Sequence, residues 1–130
     1  MTSTHRVRAR YDAGPGFVCP DLADDLEQAS IAPGSLVLLV ARAGVLTSFM
    51  ALVWGPVRDR VVALDGDELV AFSAHGHHRG LRRREGRCPV RDAELRQVRG
   101  GRGVLELPGV GRYRVDGATM AHARTVLSPA

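Results

Sequence analysis

The residues best suited to chemistry lie at positions 75–87, in the run HGHHRGLRRREGR. Arg82, Arg83 and Arg84 are consecutive, with Arg79 and Arg87 beside them and His75, His77 and His78 just before. A guanidinium stays charged and offers a planar fork that fits carboxylates and phosphates. The run therefore suits contact with an anion, whether an acidic protein surface, a phosphate or an anionic lipid. Neighbouring side chains of an extended segment point to opposite faces. Three consecutive arginines can then grip one anion only if the chain curls, which Gly76, Gly80 and Gly86 permit. The competing reading is a solvated basic loop.

Other chemistry finds less support. His75 and His77 would share a strand face and imidazole binds zinc, copper and nickel. No cysteine or carboxylate stands at ligand spacing, and the arginines repel cations, so no metal or cofactor is expected. Cys19 with His122, or Cys88 with His78, would make a thiolate and its base. A chain with two cysteines and five histidines permits such pairs by chance, so no catalytic residue is assigned and a non-enzymatic protein is expected. The carboxylate pairs Asp24 with Asp25 and Asp67 with Glu68 fit a helix start and a turn. The glycines at 100–103 and 109–111 are not preceded by a strand and followed directly by a helix, so they read as hairpin turns rather than phosphate loops.

The charge is unevenly spread. All 18 basic residues are arginine, and the net charge is +4. Residues 11–41 hold five acids and no arginine; residues 75–102 hold nine arginines against three acids. Such asymmetry points to an anionic partner, or to a contact between the two halves of the chain. Nucleic acid is a weaker version of the same idea, because residues 75–102 contain no aromatic side chain for base stacking. Two isolated cysteines form no disulfide framework, and no apolar stretch follows the N-terminal charges, so no signal peptide and a cytoplasmic location are expected.

The elements that must position these residues follow from patterning. The 130 residues are 45% hydrophobic and 25% charged, which suits one globular domain built mostly from Val, Leu and Ala. Residues 1–20 read as an irregular arm. Residues 21–30 read as a helix capped by Asp21, with Leu22 and Leu26 on one face. Residues 36–54 are nearly continuous apolar sequence, long enough to span a bilayer, but Arg42 near the middle opposes insertion. Two strands, 36–41 and 46–54, turning at 42–44, account for the same residues. Apolar runs at 61–64 and 69–74 flank Asp65-Gly66, a strong hairpin signal. After the basic loop, strands resume at 94–99, 104–107 and 111–115, the last two joined by a turn at Pro108-Gly109. Thr119 then caps a short helix over 120–127.

The order strand, strand, hairpin, basic loop, strand, hairpin, helix resembles a bacterial pleckstrin-homology-like (GRAM-like) domain. The resemblance covers about residues 35–128 and rests on residues 60–72 (RVVALDGDELVAF) and on 109–116 (GVGRYRVD) with the helix after them. Phosphoinositide-binding members use clustered basic residues in the loop between their first two strands, where this chain offers only Arg42. The resemblance thus implies a fold and a contact role, not a lipid headgroup site.

The resulting expectation is a mainly β (α+β) domain, an antiparallel PH-like sheet or partly open barrel with a short helix at each end. It would bind an acidic protein through Arg79, Arg82, Arg83, Arg84, Arg87, His75, His77 and His78, with help from the adjoining 91–102 segment. The alternatives are a membrane-associated protein using residues 36–54, peripheral or spanning, and a binder of nucleic-acid backbone or anionic lipid. The acidic helix would offer the basic segment of a second copy a docking face, giving a homodimer.

Overall fold

The computed structural model describes residues 10–43, 59–75, 78–98 and 101–127. Seven strands form one antiparallel sheet that does not close, with a short helix near each end. In chain order they are α1 (Pro20–Gln28), β1 (Val37–Arg42), β2 (Arg60–Asp65), β3 (Glu68–Ala74), β4 (Leu81–Pro89), β5 (Glu94–Gln97), β6 (Gly103–Leu107), β7 (Gly111–Val115) and α2 (Gly117–Ala123). The order across the sheet is β4-β3-β2-β1-β7-β6-β5, two meanders that meet at β1. Val37 to Val40 pair with β2, whereas Ala41 and Arg42 pair with β7.

Burial explains the two kinds of strand pattern. Strands β1–β3 are covered on both faces. On one, Leu22, Ala23 and Leu26 of α1 pack on Val37, Val61, Val70 and Phe72. On the other, Leu38, Val40, Val62 and Ala71 meet Leu105, Leu107, Tyr113 and Val115 of the second meander, with Met120 and Ala123 of α2. Strands buried on both sides need continuous apolar runs, and β1, β2 and β3 have them. In β6 and β7 burial alternates, because the second meander covers the core with one face only.

Helix starts differ from expectation in detail. Pro20 occupies the first position of α1, where its missing N–H costs nothing, so the cap moves back to Cys19, whose Sγ accepts from Leu22 N–H at 3.5 Å. Asp21 lies in the first turn instead. The cap of α2 is Asp116, whose Oδ1 accepts from Thr119 N–H at 2.7 Å, so Thr119 is the capped residue rather than the cap. The central hairpin stands where its turn signal put it, but Asp65 pairs with Glu68 and the loop is Gly66-Asp67. Gly66 takes a φ of +64°, as a tight hairpin turn with glycine first requires.

A single apolar helix over 36–54 is ruled out by β1, which makes Val37–Arg42 a strand. The expected second strand at 46–54 lies outside the described residues. No helix among the described residues is long and apolar enough to cross a membrane.

Candidate functional site

The basic run is not a loop. Residues 81–89 form β4, the edge strand beside β3. Apolar patterning missed β4 because its outer half carries three exposed arginines and no core residue before Cys88. Its register is interrupted twice. Arg84 pairs with Phe72 and Gly86 with Ala71, leaving Glu85 extra; Leu81 pairs with Ala74 and Arg83 with Ser73, leaving Arg82 extra. Such bulges break the strict alternation of side chains. Arg82, Arg83 and Arg84 all line one groove.

That groove, of about 420 Å³, lies between the C-terminal half of α1 and β4. Asp25, Gln28 and Ala29 form its helix side, and Phe72, Leu81 and the three arginines its sheet side. Its two walls are tied together. Asp25 Oδ2 accepts from Leu81 N–H at 2.9 Å, and the Cys19 thiol donates to the Arg79 carbonyl at 3.4 Å. The halves of opposite charge therefore do meet, within one chain, across α1 and β4.

The arginines divide by pairing. Arg87 bonds Glu68 at 3.0 Å and approaches Asp65 at 3.6 Å, so its charge is engaged inside the fold. Arg60 pairs with Asp59 and Glu85, and Arg96 and Arg112 both reach Glu106. Arg79, Arg82, Arg83 and Arg84 are exposed and make no ion pair among the described residues. Of the acids of α1, Asp24 and Glu27 share Arg10, at 2.9 and 2.6 Å, while Asp21 is exposed and makes no ion pair among the described residues.

The histidines separate. His78 is 5% exposed and holds a φ of +56°. Its Nε2 lies 2.9 Å from the Arg60 carbonyl and 3.2 Å from the Val40 carbonyl, so Nε2 carries the proton and donates to both. His78 is thus a buried fastener of β1 and β2, not a partner contact. His75 is exposed, and its backbone accepts from His78 N–H and donates to Gly80. His77 lies outside the described residues. Of the 91–102 segment, Arg91 and Arg102 are exposed and Arg96 is paired with Glu106; Arg99 lies outside the described residues.

Among the described residues, the hydrogen bonds of neither thiol run to an imidazole. Cys19 Sγ faces the backbone of His78 and Arg79, and His122 Nε2 is bonded to Asp12 instead. Cys88 is buried, its thiol donates to the Pro89 carbonyl at 3.3 Å, and burial pushes its pKa up. Among the described residues no group of three metal-ligating side chains converges.

Sequence reasoning missed the helix side of the groove. Asp25 and Leu81 stand 56 residues apart, and only the charge asymmetry hinted that their segments meet. A second polar group was also missed. Glu85, placed by its bulge, takes Arg60 Nε at 3.0 Å and Tyr113 Oη–H at 3.1 Å on the same oxygen, joining the two meanders. No protein-family model, curated protein or solved structure matched the chain in three separate comparisons.

Proposed function

We propose that this protein is a non-enzymatic interaction module that binds an acidic partner protein through the outer half of β4. The observation that carries the proposal is the gathering of Arg82, Arg83 and Arg84 on β4, with Arg79 just before it, all exposed and without ion pairs among the described residues. Three arginines whose backbone is held in a strand lose less freedom on binding than three on a loose loop. The fold is compatible with a pleckstrin-homology-like module, whose resemblance implies a strand order ending in a helix. The contact surface proposed here is a sheet edge and one helix, not the first interstrand loop.

A bland role competes for the same residues. Charges and bulges on an edge strand keep it from pairing with another sheet. The experiment must separate the two roles, and charge reversal does so. Arg82→Glu, Arg83→Glu and Arg84→Glu together keep the edge charged while inverting its sign. Capture from a nuclease-treated native lysate is expected to retain an acidic protein with the wild type and lose it with the reversed variant. Equal capture by both overturns the proposal.

A further inference from the structure

We propose that the α1/β4 groove reads one apolar side chain embedded in an acidic peptide segment. This deepens the preceding reading and rests on it. The groove is not uniformly basic. Ala29 and Leu81, both half-buried, present carbon, while the three arginines line the groove along β4. Its volume of about 420 Å³ lies low in the range of small-ligand sites, roughly 300–1,000 Å³. It accommodates a large side chain and a little backbone, not a folded surface.

The charges orient the occupant. Arginines spaced along a strand match carboxylates spaced along an extended peptide, since both repeat about every 3.3 Å. The opposite wall carries Asp25, whose Oδ2 already holds Leu81 N–H, so partner carboxylates are disfavoured on the helix side. Gln28 is exposed there, and its amide can donate to and accept from a peptide backbone. Acidic residues therefore run over the arginines while an apolar side chain enters between β4 and α1. A nucleic acid fits less well. Base stacking needs an open aromatic face, and Phe72, the aromatic residue of the groove, is 4% exposed.

The test is fluorescence anisotropy of a labelled, glutamate-rich peptide with one central leucine, against the same peptide with serine there. Both are titrated into the full chain at fixed salt. The wild type is expected to prefer the leucine peptide by about tenfold, the order of effect that burying one aliphatic side chain brings. Ala29→Leu fills the groove without touching the arginines, and should erase the preference while leaving the serine peptide bound. Gln28→Trp, which narrows the groove from an exposed helix position, should do the same. Equal affinity of wild type for the two peptides overturns the groove inference and leaves the acidic contact standing. A preference that survives both variants overturns it too. Binding of neither peptide, or tighter binding of an oligouridine of equal charge, overturns the inference and the reading beneath it.

Discussion

Tyr113 shows what one buried polar residue contributes. It is 1% exposed, and its hydroxyl reaches Glu85, which also holds Arg60. Burial, then the neighbouring Glu85 carboxylate, pushes its pKa far above the ordinary tyrosine value. Burial raises Tyr11 and Cys88 in the same direction. A raised pKa here means that the folded state holds the proton more tightly than the unfolded chain does. The associated stability is complete below the unfolded value and is lost as pH climbs toward the folded one. The thermal midpoint should therefore fall above about pH 10, and Tyr113→Phe should flatten that fall. At neutral pH the same variant should lose about 2 kcal/mol, the scale of a hydrogen bond to a charged group. Denaturant titrations across a pH series measure both effects. Gly103 makes a steric counterpart. A methyl group there would overlap the Met120 sulfur and sit 2.8 Å from the Arg96 carbonyl. Overpacking against backbone is not relieved by a rotamer change, so Gly103→Ala should cost roughly 2 kcal/mol or more, read from the same titrations.

Among the elements, β4 is the informative one. Its sequence, LRRREGRCP, lacks the apolar alternation by which strands are recognised, yet it pairs with β3 along most of its length. An edge strand buries less, so sequence carries less of its signal. The strands between it and β7 were legible because core burial wrote continuous runs into β1, β2 and β3, and alternation into β7. The helix at 21–30 was legible from the spacing of Leu22 and Leu26, whereas its cap was misread because Pro20 displaced it to Cys19. The groove was not legible at all. It needs the docking of Asp25 on Leu81, 56 residues apart, and that docking is set by tertiary contacts. The protective role of the edge also yields a prediction. Changing Arg82, Arg83 and Arg84 to Ala removes charge from the edge, and light scattering at high concentration should show more self-association than for the wild type. The charge-reversed variant should stay like the wild type.

At the scale of the whole molecule, the charge asymmetry of the chain is partly spent internally. The acids of α1 hold Arg10 and the start of β4, while Arg87, Arg96 and Arg112 are matched within the sheet. What remains unmatched among the described residues includes the cluster on the outer half of β4. Association through exposed charges is screened by salt over about 8–10 Å at ordinary ionic strength, so affinity for an acidic partner should fall steeply as salt rises. The most direct test of the account is a two-dimensional amide NMR titration of the full chain with a glutamate-rich peptide carrying one leucine. The account predicts shifts concentrated on Asp25, Gln28 and Ala29 of α1 and on Leu81, Arg82, Arg83 and Arg84 of β4, with the Arg112 and Arg114 face of β7 unmoved. Shifts spread evenly over all exposed arginines, or confined to another face, would contradict it.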